Sequence, residues 1–527
     1  MTDRTAPEYP AGTYGGVGAP FPNPVLPGFN PDPSVVRVDG LYYLVTSTFE
    51  YLPGLPVYRS EDFVTWEQIG NVATRPEQLE ISEVPTNLGV WAPTLRHHDG
   101  LFHVIVGVPG GRGCLVFTAT DPAGPWSDGI VLEGLNGIDP DLAWDEDGTT
   151  YVTFSGLILS GPETGKHLGI QQVRVDLTTG TLLEEPRSLW SGSGFMFPEA
   201  PHLHRRGEHW YLVIAEGGTE RGHGVSIARA DSPVGPFEAG PANPILTARS
   251  TTRPVQNTGH GDLVEGPDGE TLLVLLGVRP LGGTRAFSPL GRETFATRIE
   301  WVDGWPVAEP VALAPRPDPG EHVRFDAPLD NRWIGVRRLP QEIATPDVAA
   351  GTLSLTADGS TLSDLRPVFL GRRQLAVETA ASTTADVSAG TGGLAVRYDE
   401  DHHYSIRARR EGERTQVIAE AVVPGIRQEW TGTLPAGPVT LHLDSVRPRH
   451  ATFGTLGMTS DVISLWAEAG GEELRLAEVD ARYLSAETAA SFTGRVLGLF
   501  ATAGTVIFHG YDAVGTEHPV TPFGSTD

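Results

Sequence analysis

Runs of Val, Ile, Leu, Tyr, Phe, Trp and Thr, rarely longer than a strand, are broken at short intervals by Gly, Pro, Asp and Asn along the whole chain. No segment keeps a capped 3.6-residue apolar spacing over several turns, so the pattern predicts an all-β protein. Within the first three hundred residues the pattern repeats. A short strand, a glycine-centred turn and a second apolar strand recur at residues 34–45, 94–105, 142–153, 202–213 and 262–273. The turn glycines Gly40, Gly100, Gly148, Gly207 and Gly269 lie roughly 50–60 residues apart. That period suits one four-stranded blade of a radial array, and five copies predict a five-bladed β-propeller.

The repeat fades after Trp301, and the Pro-rich stretch 311–319 reads as a linker. Beyond it, alternating runs begin at Thr352, Leu394, Tyr404, Val439 and Thr505 without blade periodicity. About 200 residues of strands with one apolar face predict two packed sheets, a β-sandwich of the jelly-roll or concanavalin-like kind. The expected layout is an N-terminal extension at 1–20, the propeller at 21–310, a linker at 311–321 and the sandwich at 322–527. A chain of 527 residues carries two such cores without disulfide or metal staples.

Charge narrows the partners. With 38 basic and 66 acidic residues the net charge is −28, and no Lys/Arg run exceeds two residues, which argues against nucleic acid and anionic lipid. Lys166 is the lone lysine. Cys114 stands alone too, in a strand-like setting, and reads as an inert core thiol. No basic-then-apolar leader opens the sequence and no run approaches the length of a membrane span, so a cytoplasmic protein is expected. A homo-oligomer is left open.

The repeat also locates candidate chemistry. In a propeller the first strand of each blade lines the axis, and counting back eight or nine residues from each turn glycine reaches Asp32, Ala92 beside Trp91, Asp139, Glu199 and His260. Three carboxylates crowded at one end of a channel cannot all ionise freely, so at least one becomes a proton donor at neutral pH while another acts as base. That division of labour suits hydrolysis of a glycosidic bond. Each residue also has a structural reading. Asp32 and Asp139 sit beside prolines as turn formers do, His260 in Gly-His-Gly-Asp fits a turn or core position, and Trp91 fits a core. Glu199, flanked by Phe197, Pro198 and Pro201, is placed for desolvation without a cation in the motif. Arg292 follows the fifth copy, where it either returns to the channel mouth or pairs with Glu293. The common phase of the set favours the functional reading.

At these residues the chain resembles glycoside hydrolase family 43, in particular the β-xylosidases that carry a C-terminal β-sandwich. The resemblance rests on residues 23–34, 46–54, Val90-Trp-Ala-Pro, Phe197-Pro-Glu-Ala-Pro-His-Leu, Gly259-His-Gly-Asp-Leu-Val and Ser288-Pro-Leu-Gly-Arg-Glu-Thr. It implies an inverting exo-enzyme that releases terminal xylose from β-1,4-xylo-oligosaccharides. In it Asp32 is the general base, Glu199 the general acid and Asp139 the residue that tunes the acid. Trp91 and Phe49 would line the sugar subsite and Arg292 would contact substrate. Phe500, with Leu499, would belong to a sandwich loop that caps the pocket. His260 would lie beneath the site, where some relatives hold calcium; no other cofactor is implied. The sequence departs from the pattern at Asp141, where serine is common, and in the segments 106–113 and 280–288. α-L-Arabinofuranosidase activity and a non-catalytic sugar-binding propeller are the competing expectations.

Overall fold

A computed structural model describes residues 21–282, 286–314, 316–447 and 460–517. Five antiparallel blades come first. They open with Ser34–Val38, Pro93–His98, Ile138–Trp144, Glu199–Arg206 and Gln256–Glu265, and each of these pairs with the next strand of its own blade. These five opening strands also touch one another in a closed ring, the fifth meeting the first. The five turn glycines all adopt positive φ, from 61° at Gly207 to 84° at Gly148. A Cβ at any of them would meet nothing, so it is the turn conformation and not crowding that requires glycine.

Each seam between blades has its own apolar core. Leu212 and Ile214 point with Ile170 toward the third blade, while Val213 between them joins Leu273 and Leu275 of the fifth. In the fifth blade the same alternation sends Leu272 and Val274 to Tyr42 and Leu44 of the first. A blade strand is therefore buried on both faces, which is why Leu272–Leu276 reads as an unbroken apolar run and not as an alternating one. The ring is closed by the segment that precedes the first blade. Leu26 bridges Thr294, and Asn23 both accepts from Ala296 N and donates to Ala296 O, at 2.9 and 2.8 Å.

The second domain is a β-sandwich. Its spine is the 20-residue strand Glu378–Arg397. The first half pairs with Val439–Val446 and Tyr511–Thr516, the second with His403–Glu411 and Val496–Phe508. All five predicted runs lie in strands. Gly320–Val323 pairs with Tyr511–Thr516, so a strand of this domain straddles the expected linker boundary at 321. The domains share a sheet: Tyr51–Leu52 of the propeller pairs with Ile334–Val336, which pairs with Phe369–Arg373. Phe29, Phe49 and Tyr51 pack there with Ile334, Phe369 and Phe500.

Phe500 corrects an expectation. It is an inward residue of the central strand Val496–Phe508, in register with Phe369, 1% exposed and away from the cavity described below. A strand with partners on both sides cannot supply a mobile cap. The sandwich residue that reaches the cavity is Phe492, in the connection just before that strand. Cys114 lies buried in Gly113–Ala119, where burial pushes its thiol to about 12. Among the described residues no helix is long and apolar enough to cross a membrane.

Candidate active site

A cavity of about 170 Å³ opens at one end of the propeller axis. Asp32, Asp139, Glu199, His260, Trp91, Phe49 and Arg292 all line it, so seven of the eight expected residues converge and only Phe500 does not. Thr219, His223 and Phe492 complete the polar and aromatic walls, with Ile138, Leu157 and Ala215 on the apolar side.

The opening strands depart from regular geometry where these side chains turn inward. Asp32, Asp139 and His260 have φ of 54°, 53° and 51°. Register shifts interrupt the ladders between Ile138 and Asp141, Glu199 and His202, and Gly259 and Gly261. A bulge with one left-handed residue re-aims a side chain toward the axis. Asp32 and Asp139 each precede a proline, a position that disfavours such backbone, so the conformation is strained and held by its surroundings. At the start of the fourth blade the left-handed residues before proline are Phe197 and Ala200, at 56° and 49°, on either side of Glu199. Glu199 itself is not left-handed, so it does not share the backbone geometry of the two aspartates.

The three carboxylates have different company. Asp32 is 4% exposed; its Oδ1 accepts from Arg292 Nη1 at 2.9 Å and its Oδ2 from Ser47 Oγ at 2.6 Å. Asp139 Oδ2 accepts from Ala200 N at 3.0 Å. Burial and the charge of Asp32 raise the Asp139 pKa above the carboxylate range, against the opposing pull of Ala200 N–H, His202 and Arg292. Glu199 is raised too, by burial first and then by Asp139 and Asp32, with Arg292 opposing. The nearest imidazole to Glu199 is His167, whose Nε2 lies 3.9 Å from Oε1, and burial lowers that imidazole's pKa. Burial likewise pushes His260 to about 3 and His223 to about 4, so both are neutral at physiological pH.

Arg292 does not pair with Glu293, which instead holds Arg279 at 2.8 Å. It lies beside the stacked rings of Phe49 and Phe492, 5.6 and 5.4 Å from their centroids, and donates to Asp32, Thr219 Oγ1 and Phe492 O. Phe492 is fixed from the propeller side: Asn87 Oδ1 accepts from Phe492 N at 3.1 Å and Ser491 Oγ at 2.9 Å, while Asn87 O accepts from Trp91 Nε1 at 2.9 Å. Trp91 meets Phe492 edge-on at 6.0 Å. The sequence reading missed Phe492, Thr219 and His223. For His223 a signal existed, since Gly222-His-Gly repeats the Gly-His-Gly of His260. The two are adjacent in space, and a Cβ on Gly259 would lie 2.3 Å from the His223 ring.

Calcium near His260 does not fit the residues present. Asp32, its nearest carboxylate at 3.6 Å, is already held by Arg292. The next carboxylates along the axis, Asp141 and Asp262, are bridged by the guanidinium of Arg96 at 2.7 and 2.9 Å. Among the described residues no group of three or more His, Cys, Asp or Glu is disposed to hold an ion.

The arrangement combines a carboxylate paired with arginine and two that hold protons to higher pH, around a pocket sized for a terminal sugar unit. Comparison with known proteins agrees. Residues 21–306 match the model of glycosyl hydrolases family 43, and residues 323–507 that of the β-xylosidase C-terminal concanavalin A-like domain. The chain is 35% identical to a non-reducing end α-L-arabinofuranosidase of Bacteroides ovatus, over 92% of this chain and 91% of that one. It is 31% identical to a β-xylosidase of Bacillus subtilis, over 75% and 80%. Among solved structures, a xylan β-1,4-xylosidase from Bacillus halodurans superposes with a TM-score of 0.82 at 26% identity, over 94% of this chain and 99% of that one. With its propeller and its sandwich both matched, the chain belongs to glycosyl hydrolase family 43.

Proposed function

We propose that the protein is an inverting exo-β-1,4-xylosidase, removing single xylose units from the non-reducing ends of xylo-oligosaccharides. The observation that carries this reading is the asymmetry of charge around one small cavity: Arg292 forks onto Asp32, while among the described residues no arginine or lysine contacts Glu199 or Asp139, and the mutual influence of these two carboxyls keeps a proton on Glu199. Glu199 then donates its proton to the departing glycosidic oxygen as the C1–O bond breaks. The Asp32 carboxylate takes a proton from the water whose oxygen bonds C1 from the opposite face. Exchange with solvent returns the proton to Glu199 and removes the one on Asp32. Asp139, accepting from Ala200 N beside Glu199, orients the acid and raises its pKa. Trp91, Phe49 and Phe492 supply apolar faces for the sugar ring, and the reaction needs no cofactor. Single displacement calls for about 6.5–9.5 Å between the Asp32 and Glu199 carboxyls; about 5 Å belongs to the covalent route.

A second reading, α-L-arabinofuranosidase, is supported by the Bacteroides ovatus relative. Kinetics on nitrophenyl β-D-xylopyranoside and nitrophenyl α-L-arabinofuranoside rank the two, and a large preference for the arabinoside overturns the first. NMR of the newly released anomeric proton decides the stereochemistry. Binding of xylobiose without cleavage leaves only a sugar-binding propeller.

A further inference from the structure

Beneath the catalytic carboxylates, two or three residues further along the same opening strands, lies a second polar layer to which all five blades contribute. Ser34 follows Asp32, Asp141 follows Asp139, His202 follows Glu199, and Asp262 follows His260; Arg96 comes from the second blade. Asp141 and Asp262 are completely buried, and two such charges facing each other across an axis repel strongly in a low-dielectric interior. Arg96 answers both. Its Nη2 lies 2.7 Å from Asp141 Oδ1, and its Nη1 donates to Asp262 Oδ2 at 2.9 Å. Nη2 also donates to His202 Nδ1 at 3.1 Å.

The remaining contacts stitch each blade to the next. Leu95 N donates to Ser34 Oγ between the first and second blades, and Arg96 reaches Asp141 between the second and third. Leu203 N donates to Asp141 Oδ2 at 2.7 Å between the third and fourth. His204 Nε2 lies 2.9 Å from Asp262 between the fourth and fifth, and Ser34 Oγ donates to Asp262 at 2.7 Å to close the circle. Every catalytic carboxylate is tied to this ring through its own strand.

We propose that Arg96 is a positioning residue for the hydrolysis: its planar fork is the built-in axial cation that fixes the spacing of Asp32, Asp139 and Glu199. The proposal rests on the glycosidase reading for its kinetic effect. It assigns to a side chain the place a bound cation would otherwise take. An ammonium carries the charge without the fork, so lysine is a poor substitute.

Arg96→Lys and Arg96→Ala, assayed on whichever pentoside the wild type cleaves, test it. Displacing catalytic groups by about 1 Å costs on the order of 100-fold, so Arg96→Ala is expected to lose about that much kcat while KM changes less than about threefold. Millimolar guanidinium chloride is expected to restore part of the loss and to raise the Tm of Arg96→Ala, where equal sodium chloride does neither. Wild-type kcat in Arg96→Lys, a loss confined to KM, or rescue of Arg96→Ala by calcium chloride as good as that by guanidinium overturns the proposal. Should Arg96→Ala not fold, Arg96→Lys decides by kcat and KM at unchanged circular dichroism. Should the wild type cleave no pentoside, the glycosidase reading fails by itself. Arg96 is then judged by the guanidinium-specific rise in Tm, whose absence rejects it.

Discussion

Asp139, on the cavity wall, and Asp262, fully buried beneath it, are carboxylates on opening strands of the same propeller, yet they hold protons with opposite strength. Asp139 is raised, by burial and by Asp32. Asp262 is held well below the usual carboxylate range: burial would raise it, but Arg96 and then His202 and His204 outweigh burial. Desolvation raises both, so the difference lies in their neighbours, chiefly in the reach of the Arg96 guanidinium to Asp262 and of the Asp32 charge to Asp139. One layer of the axis is compensated and structural. The layer above it is left uncompensated where protons must move, and Arg292 neutralises only Asp32.

Four substitutions sharpen or break this contrast. Glu199→Gln, which removes the transferable proton but preserves shape, is expected to lower kcat/KM about 10³–10⁴-fold, or about 4–5.5 kcal/mol, in steady-state assays. Full turnover in that variant would end the acid assignment. Asp262→Asn leaves Arg96 half-compensated and is expected to cost about 3–5 kcal/mol in urea unfolding; a loss below about 1 kcal/mol would remove the distinction between layers. Phe500→Ala is expected to cost about 3 kcal/mol of stability with KM unchanged, whereas Phe492→Ala raises KM with little change in Tm. If the two exchange these effects, the assignment of Phe492 to the cavity wall and Phe500 to the domain seam is wrong.

The smallest effect is in pH. A carboxyl with a raised folded pKa stabilises the fold relative to its ionised form below its unfolded value, and that contribution is lost as pH rises through the folded value. For Glu199 the window runs from about 4.5 to about 8. Wild-type stability is therefore expected to decline by about 1 kcal/mol or more across that window, and less in Glu199→Gln, measured as Tm against pH. Activity itself is expected to be bell-shaped, lost at low pH as the base protonates and at high pH as Glu199 ionises. An identical decline of Tm in both proteins would place the titrating group elsewhere; Glu50, buried at the seam and raised by burial to about 7, is the group to change next.

Much of the site was legible because a propeller converts spacing along the chain into position around an axis. The five turn glycines and the residues eight or nine places before them sufficed to collect Asp32, Asp139, Glu199 and His260 at one cavity. What failed was local identity inside the second domain. Phe500 and Phe492 are eight residues apart and chemically identical, and nothing in their surroundings shows which faces a strand partner and which faces sugar. The partner of Arg292 was equally hidden, since Glu293 is adjacent in sequence and Asp32 is 260 residues away.

By itself, then, the amino-acid sequence determined the all-β class, the five blades, the sandwich and the layer where the carboxylates meet. These follow from turn chemistry and periodicity, which act over a few residues and repeat. Tertiary structure alone decided which carboxylates are neutralised, through Arg292 at Asp32 and Arg96 at Asp141 and Asp262, and which aromatic crosses from the sandwich into the pocket. Proton affinity and packing depend on groups brought within a few ångströms by the closed ring, and that proximity is not recorded in sequence distance.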